Sequence, residues 1–505
     1  MMTAHQQPDW TLDQLLAGIV QVSAPAVLIN AIALDSRAVS TGCLFLALDG
    51  QQQNGSLYIK AAIEQGATAV LTQTMPALDV VRHAQEKSVV LLAMPALNTV
   101  AGLIAHRFFA EPSKSLRLVG VTGTDGKTSV SQFIAQALSA LNKTCGVIGT
   151  LGNGLYGQLE VTAHTTPDAI TLNSLLAKFV NARAHYAAME VSSHGLAQAR
   201  VDGLLFDTAV LTNLARDHLD YHGTIEAYRA AKMRLFALPD VRTRVLNIDD
   251  VFGQAIKQQY PDAVTYSADI NNKKSDIGVV HVQYSAQGLS LRIRIQQQMF
   301  EVECALLGGF NIANVLAVVA VLHGWKFSVA DIRQAVASLQ PVAGRMQGLQ
   351  QNNSPTVIVD YAHTPQALEA ALHATRAHTT GKVFCVFGAG GDRDVGKRPL
   401  MGSIAASLAD RVIVTSDNPR SESAAAIADA IIVGMSNTQH VSTELNRATA
   451  IAQALAEAQA GDCILVAGKG HEDYQLIGQQ RLAYSDIETV NALLTQYATP
   501  TERVV

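Results

Sequence analysis

The sequence predicts an α/β fold divided into about three domains. Its 505 residues exceed what one core commonly holds, at roughly 150 residues per domain. Two long stretches alternate short β-rich runs with helical segments, a rhythm typical of mostly parallel sheets covered by helices. Hydrophobic residues make up 49% of the chain and charged residues 16%, which excludes intrinsic disorder.

The first stretch, residues 1–92, combines short mixed elements. A helix is predicted near Leu12–Ile19, a strand at Leu44–Leu48, and a helix–strand pair from Ile59 to Leu71. Its opening residues contain no basic segment followed by an apolar core, so no signal peptide is expected. This stretch therefore predicts a small α/β domain at the N-terminus.

Net charge, hydropathy and cysteine usage limit the kinds of partner and the environment that we expect for this chain. The net charge of −5 does not indicate nucleic acid as a partner. No window of about 18 residues is free of polar side chains, so no membrane span is expected. The five cysteines are far apart and form no CxxC pair, which argues against a disulfide framework or a zinc site. We expect a soluble, reduced, cytoplasmic protein that acts as a monomer on small molecules.

The second stretch, residues 93–342, and the third, residues 343–505, carry the strand–helix alternation. Between them, residues 339–344 mark the boundary. Within the second stretch, residues 265–302 alternate apolar and polar side chains, which predicts amphipathic strands, and a helix follows at Asn314–His323. The remaining strands are predicted at Leu116–Val121, Gly146–Ile148, Ala187–Val191, Thr208–Leu211, Val245–Ile248, Thr356–Val359, Val383–Phe387, Arg411–Thr415 and Cys463–Ala467.

The strongest motif lies in residues 120–128, GVTGTDGKT. A predicted strand enters this segment and an amphipathic helix leaves it, which is the context that a phosphate-binding loop requires. Lys127 would bridge the β- and γ-phosphates of a nucleotide, and the Thr128 hydroxyl would ligate Mg²⁺. The strict pattern has glycine where this chain has Val121, so a glycine-rich turn with an incidental lysine is the alternative.

Two further polar segments follow strands of the second stretch. Glu190 stands near the end of an apolar strand, where it could hold Mg²⁺ or form a buried pair with an arginine. His218 lies in the dense polar segment NLARDHLDYH and could be a metal ligand, an orienting group or a structural histidine.

Lys232 falls on an apolar helix face. Thr224 can cap a helix that runs to Phe236, and helical spacing places Tyr228 and Phe236 beside Lys232. Burial would lower the pKa of the amine, and a neutral amine can take up CO₂ to form a carbamate. The alternative is a lysine that extends its ammonium group to solvent.

Polar segments follow all four strands of the third stretch. They are DYAHTP at 360–365, GAGGDR at 388–393, DNPR at 417–420 and GKGHE at 468–472. The carboxyl ends of parallel strands share one edge of a sheet, where ligands bind. Two arginines and a glutamate there suit a zwitterionic ligand, since arginine pairs with carboxylate and glutamate accepts from ammonium.

Taken together, these segments are similar to one family. The chain resembles the Mur ligases, ATP-dependent amide-bond-forming enzymes of peptidoglycan synthesis, over essentially its whole length. The matching segments are LDSR at 34–37, the phosphate loop, EVSSHGL, NLARDHLDYHG, residues 309–314, GRMQ, DYAHTP, GDRD, DNPR and GKGHEDYQ.

The resemblance implies three domains and one reaction. A small α/β N-terminal domain would bind the UDP end of the substrate, a central P-loop parallel-sheet domain would bind ATP, and a C-terminal Rossmann-like domain would bring the amino acid. The implied reaction adds meso-diaminopimelate to UDP-N-acetylmuramoyl-L-alanyl-D-glutamate through an acyl phosphate, with ATP and Mg²⁺. DNPR implies diaminopimelate rather than lysine, because Arg420 can pair with the distal carboxylate that lysine lacks.

Site residues follow from the resemblance position by position. The UDP-linked substrate would contact Leu34, Ser36, Gln51, Gln52, Gln53, Thr165, Thr166, Ser192, Gln198 and Arg200. ATP would contact Gly123, Thr124, Asp125, Gly126, Lys127, Thr128, Ser129, Asn311, Arg345 and His363. Diaminopimelate would contact Arg393, Asp417, Asn418, Pro419, Arg420, Gly468 and Glu472. The metal would be held by Thr128, Glu190 and His218; the catalytic set is Lys127, Glu190, His218 and Lys232, the last as N6-carboxylysine.

One position departs from the family pattern. The family loop usually reads GTNGK, and Asp125 here replaces the asparagine. An added negative charge near phosphates is unfavourable unless it faces Mg²⁺ or solvent. The alternatives to a peptidoglycan ligase are a folylpolyglutamate synthase, a nucleotide-binding scaffold without catalysis, and a P-loop motor or switch.

Overall fold

The computed structural model describes residues 10–19, 25–50, 54–162, 164–351 and 354–498. The chain forms two compact units. Unit 1 comprises residues 1–266 and 320–326, and unit 2 comprises residues 267–319 and 327–505. No helix of the described residues has the length and apolar character needed to cross a membrane.

Unit 1 begins with a four-stranded parallel sheet, β3-β4-β5-β6, preceded by a short antiparallel pair, β1-β2. Strand β4 reads CLFLA and is buried at every position, as expected for a parallel strand covered on both faces. The strands are β1 (Trp10–Thr11), β2 (Leu28–Ile29), β3 (Ala31–Ala33), β4 (Cys43–Ala47), β5 (Ala67–Thr72) and β6 (Val90–Ala93). The helices are α1 (Leu12–Leu16), α2 (Ile59–Glu64), α3 (Leu78–Glu86) and α4 (Leu97–Phe108).

The larger sheet of unit 1 is parallel across six strands in the order β8-β11-β7-β12-β13-β14. An antiparallel β9-β10 hairpin extends it beyond β8, which the sequence did not predict. The strands are β7 (Arg117–Thr122), β8 (Cys145–Gly149), β9 (Gly152–Leu155), β10 (Gln158–Glu160), β11 (Tyr186–Glu190), β12 (Thr208–Leu211), β13 (Thr243–Asn247) and β14 (Val264–Ser267). Because β7 lies between β11 and β12, the loop that follows β7 emerges between two other strand ends.

Six helices accompany this sheet, and polar side chains cap most of them. Asp168 accepts from the N–H groups of Ile170 and Thr171, and Thr224 accepts from the Ala227 N–H, as predicted for the helix that carries Lys232. The helices are α5 (Lys127–Ala140), α6 (Ala169–Asn181), α7 (Ser193–Ala197), α8 (Leu219–His222), α9 (Ile225–Ala237) and α10 (Val251–Gln259).

Unit 2 contains the amphipathic strands that the sequence predicted, as an antiparallel meander β15-β16-β17. On β16, Leu289, Leu291 and Ile293 are buried and the residues between them are less so. The strands are β15 (Ile277–Ser285), β16 (Gly288–Ile295) and β17 (Gln298–Cys304). Helices α11 (Phe310–Gly324) and α12 (Val329–Ala337) follow along the chain.

A second sheet of unit 2 has the order β18-β19-β23-β20-β21-β22 and is parallel except for β18. The four strands that precede the polar segments, β19, β23, β20 and β21, are therefore neighbours with the same direction. The strands are β18 (Gln347–Leu349), β19 (Thr356–Asp360), β20 (Val383–Phe387), β21 (Arg411–Val414), β22 (Val441–Thr443), β23 (Cys463–Ala467) and the hairpin β24 (Tyr474–Ile477) and β25 (Gln480–Ala483). The helices are α13 (Pro365–Ala377), α14 (Lys397–Leu408), α15 (Ala424–Ile432), α16 (Arg447–Glu457) and α17 (Asp486–Ala498).

Candidate active site

The phosphate-loop segment connects β7 to α5 in unit 1. Gly123 has a φ of +155°, and a Cβ at this position would stand 1.8 Å from the Thr212 hydroxyl, so only glycine fits. Asn213 Oδ1 accepts from the backbone N–H groups of Thr124 (3.1 Å) and Asp125 (2.9 Å). The loop is thus fixed from the end of β12 and leads directly into the N-terminus of α5, where an anion is favoured.

Two lysines donate to the same carbonyl of this loop. Lys127 Nζ lies 2.8 Å from the carbonyl oxygens of Gly123 and Thr124, and Lys232 Nζ lies 2.7 Å from the Gly123 oxygen. Lys232 is only 1% exposed, and its ammonium faces the Tyr228 ring at 4.5 Å. Burial, reinforced by the charge of Lys127, holds the pKa of Lys232 well below its usual value. Lys232 therefore does not extend to solvent, the alternative that the sequence left open.

Glu190 ends β11 and is 1% exposed. Its carboxylate accepts from the Thr128 hydroxyl (2.8 Å), the Thr150 N–H (2.7 Å) and the Thr150 hydroxyl (3.2 Å). Within the described chain, these groups are the hydrogen-bond partners of the Glu190 carboxylate, and the arginine considered from the sequence is not among them. Strand pairing of β11 with β7 brings Glu190 to the phosphate loop, because parallel strands present their carboxyl ends together.

Oxygen donors at this position suit a hard divalent cation. Thr128 and Glu190 supply a hydroxyl and a carboxylate at hydrogen-bond distance, the ligand types that Mg²⁺ prefers. Nowhere in the described residues do three His, Cys, Asp or Glu side chains cluster to hold a metal by themselves. One or two protein ligands completed by phosphate oxygens is the usual arrangement for Mg²⁺, so the donor set fits that ion.

His218 lies in an aromatic cluster. Its backbone is left-handed, with a φ of +53°, and its ring lies 4.9 Å from the His194 ring and 6.1 Å from the Tyr228 ring. Its Nε2 is 3.4 Å from an Asp217 carboxylate oxygen. Burial lowers the pKa values of His218, His194 and His222 below the usual value, which favours the neutral imidazole that a metal ligand needs.

Several residues predicted to contact the UDP-linked substrate meet around Thr166. The buried Thr166 hydroxyl donates to the Glu190 carbonyl (2.9 Å) and accepts from the Ser192 N–H (3.0 Å). Arg200 donates to the Thr166 carbonyl (2.6 Å) and to Gln198 Oε1 (2.9 and 2.6 Å). Thr165 joins the group through its hydroxyl, 3.1 Å from that of Thr150. The structure thus connects these residues to Glu190.

The remaining predicted substrate contacts lie in the N-terminal part of unit 1. Ser36 is buried at the start of a short 3-10 helix, Ser36–Ala38, and Leu34 packs at the edge of the apolar core there. Gln51, Gln52 and Gln53 lie outside the described residues.

In unit 2, the polar segments meet at the carboxyl ends of the four parallel strands. Asn418 donates to Glu472 Oε2 (2.9 Å), although 54 residues separate them. Gly468 has a φ of +118°, and a Cβ there would stand 2.6 Å from an Asp417 carboxylate oxygen. The left-handed backbone and this close approach explain why glycine occupies the position.

A lysine that the sequence analysis did not select lies at the centre of this group. Lys469 is 0% exposed, and its Nζ is 3.0 Å from Glu472 Oε2, 3.2 Å from Asn418 Oδ1 and 3.7 Å from Asp417 Oδ1. The ammonium compensates the buried carboxylate of Asp417 and the half-buried carboxylate of Glu472. Its place between two glycines was a signal for a turn, and only the fold reveals its partners.

Arg420 and Arg393 flank the same edge. Arg420 NH1 donates to the Gly391 carbonyl (2.8 Å), and a Cβ built on Gly390 would stand 3.0 Å from that nitrogen and 3.6 Å from Arg393 Cγ. Gly391 also has no room for a side chain, because its Cβ would stand 1.9 Å from the Pro419 carbonyl oxygen. Two guanidinium-bearing loops therefore lie against each other at this point.

The three residues of unit 2 predicted to contact ATP fall in two places. The Arg345 guanidinium lies over the Tyr361 ring at 4.6 Å, and the His363 ring lies 4.7 Å from Tyr361. Asp360 positions this group by accepting from the Met346 N–H at 2.7 Å. Asn311 is in α11, where it donates to the Leu307 carbonyl (2.7 Å) and accepts from Asn314 (2.8 Å).

Sequence reasoning missed four residues of the first site: Asn213, Thr150, Tyr228 as a neighbour of the loop, and His194. Asn213 and His194 stand inside motifs that were noted, but no spacing rule assigned them a partner. Thr150 follows β8 and would have been found by asking what pairs with Glu190 across neighbouring strand ends.

Comparisons with known proteins cover nearly the whole chain and agree with one another. Three family descriptions match: "Mur ligase family, catalytic domain" at residues 28–101, "Mur ligase middle domain" at 121–322, and "Mur ligase, glutamate ligase domain" at 344–470. The UDP-N-acetylmuramoyl-L-alanyl-D-glutamate--2,6-diaminopimelate ligase of Ectopseudomonas mendocina (strain ymp) is 46% identical over 96% of this chain and 98% of its own length. The protein of the same name from Pseudomonas aeruginosa is 45% identical over 94% of this chain and 96% of its own length.

Solved structures give the same result. A structure of a UDP-N-acetylmuramoyl-L-alanyl-D-glutamate--2,6-diaminopimelate ligase superposes with a TM-score of 0.75 at 35% identity, covering 97% of this chain and 100% of the other. MurF from Acinetobacter baumannii superposes with a TM-score of 0.64 at 18% identity, covering 97% and 99%, and this likeness concerns the fold alone. With relatives this similar over nearly the full length, the chain belongs to the Mur ligase family.

Proposed function

We propose that this chain is an ATP-dependent ligase that adds meso-diaminopimelate to UDP-N-acetylmuramoyl-L-alanyl-D-glutamate in peptidoglycan synthesis. The observation that carries the proposal is the 46% identity, over 96% of the chain, to a protein named for that reaction. The arrangement of the two candidate sites supports it, because one suits a nucleotide phosphate and the other suits a zwitterion.

In the first step, the D-glutamate γ-carboxylate attacks the γ-phosphorus of ATP, and ADP leaves. Lys127 and the N-terminus of α5 neutralise charge on the transferring phosphoryl group. Lys127 Nζ donates hydrogen bonds to two loop carbonyls. ATP binding would therefore turn the ammonium away from them and towards the phosphates. The product is an acyl phosphate, and no protein nucleophile is needed.

Thr128, Glu190 and His218 would hold Mg²⁺ at this site. When bound, Mg²⁺ supplies positive charge next to the phosphate oxygens. The buried Glu190 is held in place by Thr150, so its carboxylate is oriented before a cation arrives. The side chain of Asp125 is exposed and faces solvent, the position in which its charge interferes least with the phosphates.

We further propose that Lys232 is carbamylated. The amine is buried and its pKa is lowered, so the neutral form that reacts with CO₂ is accessible. The reaction forms an N–C bond and releases one proton. It would put a negative charge near Lys127 where the reacting amine was neutral, which adds an attraction to that ammonium and supplies a further oxygen ligand.

In the second step, the amine of diaminopimelate attacks the acyl carbon, loses a proton and expels phosphate. Glu472 and Asp417 would receive the ammonium of the amino acid, and Arg420 with Arg393 would receive a carboxylate. Lysine lacks the distal carboxylate and would leave the Arg420 guanidinium without a carboxylate partner, at a cost of roughly 1–3 kcal/mol.

The further expectations from the sequence belong to the same proposal. We propose domain boundaries at 1–92, 93–342 and 343–505, the UDP end of the substrate bound by the first domain, and action as a monomer in the cytoplasm. The product would serve the cell wall, on which cell shape and division depend.

The test is phosphate release from ATP with the UDP-linked dipeptide, comparing meso-diaminopimelate with L-lysine. We expect release with diaminopimelate and at least about tenfold less with lysine. The Arg420→Met variant should lose most of this preference, with the wild type as control. Release that needs no amino acid would instead indicate a nucleotide hydrolase.

A further inference from the structure

An ion pair formed by other residues joins the two loops that carry Arg393 and Arg420. Arg398, in the first turn of α14, is 3% exposed and donates from both terminal nitrogens to Glu422, at 2.8 Å each. Glu422 Oε1 also accepts from the Asp392 N–H at 2.6 Å. One carboxylate therefore connects the loop after β20 to the loop after β21.

A second set of contacts joins the same two loops. The Asp392 carboxylate accepts from both the N–H and the hydroxyl of Ser421. Arg420, the neighbour of Ser421, donates from NH1 to the Gly391 carbonyl at 2.8 Å. The guanidinium of Arg420 is thus held against the loop that Glu422 fixes.

Both loops hold an unfavourable backbone conformation at this point. Asp392 has a φ of +53° and Arg420 a φ of +50°, a left-handed region that non-glycine residues seldom adopt. Such residues persist where surrounding contacts over-determine them. The Arg398–Glu422 pair and the Asp392–Ser421 contacts supply that constraint, and neither pair was selected from the sequence.

We propose that Arg398 and Glu422 are positioning residues for the choice of amino acid: they fix the backbone at Asp392 and Arg420 so that the Arg420 guanidinium meets the distal carboxylate of diaminopimelate. The inference rests on the proposed function and deepens it. A bidentate guanidinium–carboxylate pair depends on orientation, so a small displacement of Arg420 weakens recognition of diaminopimelate while leaving lysine little affected.

The experiment measures steady-state kinetics of the full chain for the Glu422→Gln variant with diaminopimelate and with lysine. We expect the KM for diaminopimelate to rise about tenfold, kcat to change less than about threefold, and the KM for ATP to stay unchanged. The preference for diaminopimelate over lysine should fall by a similar factor. Unchanged preference, or an equal loss with both amino acids, would overturn the proposal.

A matched control uses the same chemistry elsewhere in unit 2. Glu457 accepts from Arg411 at 2.7 and 3.1 Å, and Arg411 opens β21 at the amino end of the strand. The Glu457→Gln variant should leave both the KM for diaminopimelate and the preference unchanged. A comparable loss in this variant would assign the effect to general destabilisation and overturn the proposal.

A double-substitution cycle gives the sharpest result. Once Arg420→Met has removed the guanidinium, Glu422→Gln should have no further effect on the preference. An additive effect would overturn the proposal. Should Glu422→Gln fail to fold, Ser421→Ala, which removes one donor to Asp392, should lower the preference by about threefold, and no change there would be equally contradictory. Absence of ligation by the wild type would refute the proposed function instead.

Discussion

Each unit has a buried lysine near the carboxyl ends of its parallel strands, and the two lysines differ in their neighbours. Lys232 is 1% exposed and Lys469 is 0% exposed. The Lys232 ammonium donates to a backbone carbonyl and faces a tyrosine ring, and within the described chain no carboxylate forms an ion pair with it. Lys469 forms ion pairs with two carboxylates, those of Asp417 and Glu472.

The difference shows that burial alone does not decide what a lysine does. Without a carboxylate partner, desolvation favours the neutral amine of Lys232, which can act as a nucleophile towards CO₂. With two partners, Lys469 serves as a fixed counter-charge that holds acidic side chains together. The first arrangement suits the carbamylation proposed for Lys232, and the second holds two carboxylates in place for the charged ligand proposed above.

Replacing Lys232 should have the largest effect on activity. In Lys232→Met we expect kcat to fall roughly 100- to 1000-fold, since the proposed carbamate at the phosphate loop cannot form while the buried volume is kept. In Lys232→Ala, added acetate should restore part of the rate by occupying the place of the carbamate. Steady-state rates with and without acetate check both.

Lys257 offers a matched control in the same unit. It also donates to backbone carbonyls, those of Pro261 and Ala263 at 2.7 Å each, but it is only half-buried and lies away from the phosphate loop in sequence. Lys257→Met should keep wild-type activity. Full activity in Lys232→Met would show that the carbamate is not required.

Replacing Lys469 should act mainly on stability. Lys469→Met leaves Asp417 and Glu472 without their counter-charge, and we expect the free energy of unfolding to fall by about 3–5 kcal/mol. Denaturant titration at neutral pH measures this. Adding Glu472→Gln should recover part of the loss, whereas Lys382→Met, at an exposed site of unit 2, should cost little. Equal stability of Lys469→Met and Lys382→Met would contradict the account.

Asp125→Asn should have a smaller effect, on nucleotide binding. The side chain is exposed, so solvent and salt screen its charge, and we expect the KM for ATP to fall by about two- to threefold. The gain should shrink at high ionic strength. Asp262→Asn, at another exposed position of unit 1, should leave the KM for ATP unchanged. A weaker affinity in Asp125→Asn would mean that the carboxylate assists binding.

The smallest expected effect is a change with pH in the stability difference between the wild type and Lys232→Met. Because the folded-state pKa of Lys232 is lowered, the unfolded chain binds more protons between that pKa and the ordinary value. The contribution of Lys232 to stability is therefore lost as pH falls and regained as pH rises towards 10.5. In CO₂-free buffer, the melting temperature of the wild type relative to Lys232→Met should increase from pH 7 to pH 9. A constant difference would contradict the lowered pKa.

Much of the fold and part of the site could be predicted from the sequence. The strands that precede the polar segments were predicted within a residue or two, because each is a short apolar run that ends at glycine or a polar residue. The Thr224 cap and the Tyr228–Lys232–Phe236 face follow from local spacing and are present in the structure. Local sequence patterns predict features that a single helix or strand determines by itself.

The partners across strands could not be predicted. Glu190 meets Thr150 only because β8 and β11 are neighbours, and Lys469 meets Asp417 only because polar segments at neighbouring strand ends converge. The Arg398–Glu422 pair spans 24 residues and two elements. Strand order determines such contacts, and residue spacing alone does not encode it.

The most direct test of the central claim follows an oxygen atom. The UDP-linked dipeptide, labelled with heavy oxygen in the D-glutamate γ-carboxylate, is incubated with ATP, meso-diaminopimelate and the wild-type chain. Activation through an acyl phosphate predicts one labelled oxygen in each phosphate released, together with an amide-linked product. Unlabelled phosphate would contradict activation through an acyl phosphate, and phosphate released without an amide product would contradict the assignment of this chain as a diaminopimelate-adding ligase.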